Sequence, residues 1–236
     1  MKVVILAGGR GTRAYPYTEY LPKPMMPVGG RPILVRVMEI FARQGFTKFV
    51  VSLGYRKEII MDYFEGRRFE WEVDLVDTGV DSDTGDRIFN CRDRLGDRFF
   101  ATYSDGLCDV DLGALLAFHE GHRGHATITT VPLISQYGTV DCDSDGRITA
   151  FREKPTLDNM WINAGFFVMN KAIFGDWQGG NLEREVFPVL QSKGMLYALR
   201  HKGFFKSMDT YKDQQEIDRL MEQGSPPWMR PLRAAA

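Results

Sequence analysis

The chain has 236 residues, of which 44% are hydrophobic and 26% charged, and its formal net charge is -1. The length suits a single large domain, and the composition suits an ordinary globular enzyme. The near-neutral balance lacks the basic excess of a duplex-binding protein, and apolar runs stay well below the roughly 20 residues that span a bilayer, so neither nucleic acid nor membrane is an expected partner.

The N-terminal run from Lys2 to Leu6 reads as a buried strand, too brief for the apolar core of a signal peptide. It leads into Gly8-Gly9-Arg10-Gly11-Thr12-Arg13. Glycine lets backbone N–H groups approach a ligand closely, successive N–H groups form a concave anion site, and guanidinium groups supply charge. Such a turn suits a triphosphate. The plainer reading is a tight strand-to-helix turn with solvated arginines. A P-loop would end in Gly-Lys-Ser/Thr, and a dinucleotide fold would need a third glycine and an acid closing the second strand. Here that strand ends Ser52-Leu53-Gly54. Pro22-Lys23-Pro24 follows the loop, a lysine held between two prolines.

Apolar residues at helical spacing predict a helix from Ile33 to Gln44, stopped by Gly45. Strands are expected at Phe49 to Leu53, Glu72 to Val76 and Phe99 to Tyr103, and helices at Lys57 to Phe64, Asp86 to Leu95 and Asp111 to His122. This alternation predicts an α/β fold with a mostly parallel sheet flanked by helices. From Ala126 the pattern becomes β-rich, with strands at Ala126 to Pro132, Gly138 to Asp141, Arg147 to Phe151 and Ile162 to Met169. Asp143-Ser144-Asp145-Gly146 has the residue types of a hairpin turn. A last helix runs from Tyr211 to Gln223, with Thr210 as its N-cap and Asp213 in its first turn, before Gly224-Ser225-Pro226-Pro227. The tail Ala234-Ala235-Ala236 reads as a frayed or added end.

Several polar residues fall where chemistry could happen. In open parallel sheets ligands bind outside the carboxyl ends of the strands, so Asp105 is expected on the same edge as the glycine loop. A carboxylate beside a triphosphate suggests Mg2+, although an Asp before Gly106 could simply cap a turn. Asp209 offers a second carboxylate or a helix N-terminal acid, and nothing in the sequence brings it to Asp105. Lys154 precedes Pro155 and is expected to be extended, which would aim its ammonium, or else it is a solvated strand-end lysine. Asn163 could serve sugar hydroxyls or a turn. The polar loop from Asp77 to Arg87 leads into a helix N-terminus, a site for polar groups, unless Asp83 or Thr84 is merely the N-cap. His119, His122 and His125 read as solvated helix-end residues rather than a metal site. Cys91, Cys108 and Cys142 are sparse, lack metal-ligand spacing and suit a reducing, cytoplasmic setting.

In order along the chain, the glycine loop, Pro22-Lys23-Pro24, Asp105-Gly106, Glu153-Lys154-Pro155, Asn163-Ala164-Gly165 and Met208-Asp209-Thr210 resemble the motifs of the sugar-1-phosphate nucleotidylyltransferase family. The stretches Val76-Asp77-Thr78-Gly79 with Ser82-Asp83-Thr84-Gly85, Phe166 to Asn170 and Gly203 to Thr210 are most similar to its glucose-1-phosphate cytidylyltransferases. The resemblance implies a Rossmann-like mixed sheet with a smaller, β-rich sugar-binding region. It implies one domain over residues 1–233, with 1–125 mainly nucleotide-binding, 126–209 mainly sugar-phosphate-binding and 210–224 a C-terminal helix. It also implies condensation of CTP with a sugar 1-phosphate to a CDP-sugar and pyrophosphate, Mg2+ as cofactor, and a homo-oligomer.

Residue roles follow from the same resemblance. Leu6, Ala7, Gly8, Gly9, Gly11, Thr12, Thr78, Thr84 and Gly85 would surround the nucleotide, with Arg13 and Lys23 on its phosphates. Asp105 and Asp209 would hold the metal, and with Arg13 and Lys23 form the catalytic set. Gly138, Glu153, Lys154, Asn163 and Gly165 would bind the sugar phosphate. The chain departs from the cytidylyltransferases in its short connection from Phe64 to Asp77, through Arg67, Arg68, Phe69 and Trp71. That leaves the acceptor open among hexose, heptose and non-sugar phosphates, and UTP, dTTP or GTP as alternatives to CTP. From a different class, a nucleotide-sugar-binding regulatory protein would share the loops but would not need a metal pair.

Overall fold

The computed structural model describes residues 1–230, so the alanine tail and the last residues of the expected domain lie outside the described residues. The first half contains β1 (Lys2–Leu6), β2 (Pro27–Val28), β3 (Arg31–Pro32), α1 (Ile33–Ala42), β4 (Lys48–Leu53), α2 (Lys57–Glu65), β5 (Glu72–Asp77), α3 (Thr84–Asn90) and β6 (Arg98–Tyr103). The second half contains β7 (Gly106–Cys108), α4 (Leu112–Glu120), β8 (Ala126–Ile134), β9 (Thr139–Cys142), β10 (Ile148–Arg152), β11 (Thr156–Asn170), α5 (Phe187–Ser192), β12 (Leu196–Arg200), β13 (Phe205–Ser207) and α6 (Tyr211–Glu222).

Seven strands form the central sheet in the order β12-β8-β11-β6-β1-β4-β5. β1 runs parallel to both β4 and β6, and β11 alone opposes its neighbours, so the sheet is mixed and mostly parallel. Alternate residues of β1 feed two cores. Val3 and Ile5 pack with α1 and α4 on one face, and Val4 and Leu6 pack with α3 and α5 on the other. Burial on both faces is why this strand is continuously apolar. The chain leaves β1 towards β4 and β5, then returns to add β6 on the opposite side of β1. The crevice at such a switch point is where open α/β sheets bind ligands.

Three expectations are corrected locally. α3 starts at Thr84 rather than Asp86, because Asp83 and Asp86 form a reciprocal capping box, and a short helical turn at Arg92–Arg94 completes the apolar stretch. The helix-end histidines are not all solvated. His119 is buried and His122 half-buried, both bonded to Thr127 Oγ1 (2.9 and 2.8 Å), and His122 stacks on Tyr197 at 3.8 Å. β12, which the sequence pattern did not suggest, covers this helix end, and burial lowers both imidazole pKa values. Lys154 has φ +45° rather than an extended backbone, because the chain reverses there between β10 and β11.

The Thr210 cap is as expected, with Thr210 and Asp213 forming a capping box at the start of α6. The short connection before Asp77 is held by aromatic packing. Phe69 stacks on Trp71 at 5.3 Å, and Trp71 meets Phe49 edge-on at 5.6 Å.

Candidate active site

The glycine loop leaves β1 and Asp105 follows β6, and the two strands are in register with Leu6 opposite Tyr103. Both segments therefore open onto the same crevice. A ladder of only three residue pairs then sets the site. β7 pairs with β13 so that Gly106 lies opposite Ser207, which places the residues just outside the ladder, Asp105 and Asp209, at the same end. Asp105 also accepts a backbone bond from Met208 (2.9 Å).

Lys23 joins the two carboxylates. Its ammonium donates to Asp105 Oδ2 (2.5 Å) and Asp209 Oδ1 (2.8 Å), and Arg13 lies 3.0 Å from Asp209 Oδ1. The Lys23 side chain is only 8% exposed, against 74% for Arg13. A buried ammonium is tolerable because two carboxylates offset its desolvation. Pro22 and Pro24 shape the short helical turn that carries it. Gly11 is required here, since it has φ +63° and a Cβ on it would lie 2.7 Å from Lys23 Cβ.

Two adjoining cavities meet at Arg13 and Asp209. One, about 630 Å3, is lined by Leu6, Gly9, Gly11, Thr12, Lys23, Thr84, Arg87, Tyr103, Asp105, Asn163 and Glu183, among others. The other, about 690 Å3, is lined by Gln136, Thr156, Lys202, Lys206 and Thr210, among others. Lys206 is held there by Glu216 (2.6 Å) and Asp213 (3.3 Å).

Not every expected residue reaches these walls. Ala7 is fully buried, and Gly8 lies beneath the loop against Arg87. Thr78 is buried and bonded to Ser52 Oγ (2.9 Å) and Leu53 O (2.8 Å), while Gly85 packs against Gly180 O. Gly165 packs against the Tyr103 ring. Gly138 and Glu153 adjoin each other on the β9–β10 arm, and Lys154 is exposed at its end.

The sequence reading missed three residues. Arg87 is buried and donates to Gly8 O (3.0 Å), Leu53 O (3.1 Å), Thr78 Oγ1 (3.0 Å), Gly79 O (3.1 Å) and Val80 O (3.3 Å). It thereby ties together the ends of β1, β4 and β5. Burial pulls its pKa down, opposed by Asp83, Asp86 and Asp77. Tyr103 donates to Glu183, and Asn163 Nδ2 donates to the Tyr103 hydroxyl (3.3 Å). Burial first, then Glu183, raises the Tyr103 pKa, so its hydroxyl stays protonated. Glu183 also accepts from Thr84 Oγ1 (2.7 Å), linking both sides of the cleft. Glu183 lies on an irregular helical turn with no recognisable motif.

Two carboxylates at one edge of a cleft beside basic side chains form a donor set suited to Mg2+, which takes one or two carboxylates and completes its shell with phosphate oxygens and water. The fold and this site are those of a nucleotide-handling transferase, and the chain belongs to the nucleotidyl transferase family, whose model matches residues 2–189. It is 36% identical to the glucose-1-phosphate cytidylyltransferase of Salmonella typhi, over 97% of this chain and 98% of that one. That alignment runs over 254 positions against 236 residues here, so the relative carries extra segments. The chain is also 32% identical to the catalytic subunit beta of mannose-1-phosphate guanylyltransferase from Dictyostelium discoideum, over 90% of this chain and 62% of that protein. Among solved structures it resembles HddC from Yersinia pseudotuberculosis complexed with GMP-PN, at 26% identity and a TM-score of 0.73, covering 93% of this chain and 99% of that one.

Proposed function

We propose that the chain is a Mg2+-dependent sugar-1-phosphate cytidylyltransferase that converts CTP and a sugar 1-phosphate into a CDP-sugar and pyrophosphate. The observation that carries this reading is the Lys23 ammonium between Asp105 and Asp209, beside the junction of the two cavities. The glycine-loop cavity suits the nucleotide, and the cavity with Lys202 and Lys206 suits an anionic acceptor. The likeness to a cytidylyltransferase over nearly the whole chain favours CTP.

In this reading an acceptor phosphate oxygen forms a bond to the α-phosphorus of CTP, and the bond to the β-phosphate oxygen breaks. Pyrophosphate leaves with that electron pair. The attacking oxygen is already anionic at neutral pH, so no general base is needed. The work is to bring two polyanions together and hold them in line. Arg13 and Lys23 offset the charge of the triphosphate, Lys202 and Lys206, together with Lys154 from the exposed arm, offset that of the acceptor phosphate, and Asn163, in the wall of the adjoining glycine-loop cavity, contacts the sugar. Leu6, Gly9, Gly11, Thr12 and Thr84 bound the nucleotide. Gly8, Thr78 and Gly85 serve it indirectly by shaping the loops. Asp105 and Asp209 would hold Mg2+, which when bound supplies charge stabilisation to the phosphates.

We place the reaction in the cytoplasm, with support from three free cysteines and from the absence, among the described residues, of any helix long and apolar enough to cross a membrane. The exposed Ile134, Tyr137 and Phe151 on the β-rich arm favour a homo-oligomer. Pyrophosphate release measured with glucose 1-phosphate and a panel of other hexose and heptose 1-phosphates tests the proposal. CTP- and Mg2+-dependent release that EDTA abolishes is expected. Nucleotide binding without release under any acceptor would instead favour a regulatory protein.

A further inference from the structure

Behind the catalytic carboxylates, at the other end of the β7–β13 ladder, lies a second group of metal-ligating atoms. Cys108 Sγ, an Asp109 carboxylate oxygen and an imidazole nitrogen of His201 all lie within 4.8 Å of one another. Cys108 ends β7 opposite Phe205, and His201 immediately follows β12, so three separate strands converge there. Backbone bonds fix both approaches: Asp109 N donates to Phe204 O (3.2 Å) and His201 N to Thr130 O (2.8 Å).

We propose that Cys108, Asp109 and His201 bind a thiophilic divalent cation of the Zn2+ type. Three observations support this. The donor set combines sulfur, nitrogen and oxygen, the mixture that suits Zn2+ and leaves one position for water, whereas Mg2+ prefers oxygen alone. Cys108 is fully buried at the end of β7, which fixes its sulfur within 4.8 Å of both other donor atoms. His201 Nε2 lies 2.7 Å from Asp109 Oδ1, so nitrogen and carboxylate already converge.

The thiolate is the ligand form of cysteine, so a cation binding here displaces the Cys108 thiol proton to solvent. One thiolate and one carboxylate then balance the two positive charges. A cavity of about 360 Å3 lies beside the group, lined in part by Cys108 and Asp109. Arg43 and Arg230 also line it and oppose cation entry, against Asp109 and Asp111. A cation here would clamp the far end of the ladder whose near end presents Asp105 and Asp209. The site is independent of the nucleotide proposed above.

X-ray absorption at the zinc edge tests this on the full chain, loaded with one equivalent of Zn2+ and dialysed in excess Mg2+. The expected first shell holds one sulfur at about 2.3 Å with nitrogen and oxygen neighbours. Cys108→Ser should lose the sulfur scatterer, Cys142→Ser should keep it, and His201→Gln should weaken Zn2+ binding at least tenfold by competition with a chelator. A shell without sulfur in the unsubstituted protein, or sulfur retained in Cys108→Ser, would overturn the assignment. The unsubstituted spectrum decides the question even if a variant does not fold.

Discussion

Replacing Gly8 with alanine is expected to damage the site from below rather than from within. A Cβ at Gly8 would lie 1.9 Å from Arg87 Nη1, 2.5 Å from its Cζ and 2.8 Å from the backbone nitrogen of Gly54. The guanidinium cannot simply swing away, because it is buried and bonded to five acceptors drawn from three strand ends. Losing two of those bonds at roughly 1.5–3 kcal/mol each costs about 3–6 kcal/mol. For a domain of this size about 2–4 °C is lost per kcal/mol, so Tm should fall on the order of 10 °C. Gly9→Ala is the control: a Cβ there meets nothing within 4 Å, and its φ lies outside the left-handed region. Gly9→Ala should keep its Tm while losing affinity for the nucleotide proposed to occupy the cavity that Gly9 lines. Differential scanning calorimetry with a nucleotide titration separates the two. Equal Tm values for Gly8→Ala and the unsubstituted protein would refute the role given to Arg87.

Other predictions follow from the same geometry. Asp105→Asn and Asp209→Asn should each lower kcat on the order of 10²-fold or more, by analogy with other lost electrostatic groups, while leaving Lys23 one carboxylate partner and the fold intact. Near-normal turnover in both would remove the metal assignment. Lys154 is exposed, so Lys154→Ala should change stability by less than about 0.5 kcal/mol yet cost about 10–100-fold in kcat/KM for the acceptor. An unchanged acceptor KM would take Lys154 out of the site. The bond from Asn181 holds the Asp83 carboxyl below its usual pKa, with help from Thr84 N and nearby arginines. Its contribution to stability is therefore full above the ordinary carboxylate value and fades as pH falls through the lowered one. Asp83→Asn should flatten the acid limb of a Tm-against-pH profile, and an unaltered limb would contradict that cap.

The features that the sequence made legible are those encoded locally. The apolar run into Gly8–Arg13, the helix from Ile33 and the Thr210 cap each rest on residues within a few positions of one another, and each forms where expected. The convergence of Asp105 with Asp209 was not legible. It depends on β7 and β13, three residues each and 101 positions apart at the Gly106–Ser207 pair, too short to leave a period in the sequence. Arg87 stood out in the sequence only as the end of a polar loop, because nothing local reveals that Gly8 and Gly54 leave room for it. Lys154 was misjudged because the local preference of a residue before proline yields to the chain reversal between β10 and β11.

The most direct test of the central claim offers the enzyme equimolar CTP, UTP, dTTP and GTP with a mixture of sugar 1-phosphates and Mg2+, and identifies the products by mass spectrometry. The account predicts a CDP-sugar formed together with an equal amount of pyrophosphate. A different nucleotide sugar as the main product would contradict the choice of CTP, and a nucleotide mixture returned unchanged with every acceptor would contradict catalysis itself.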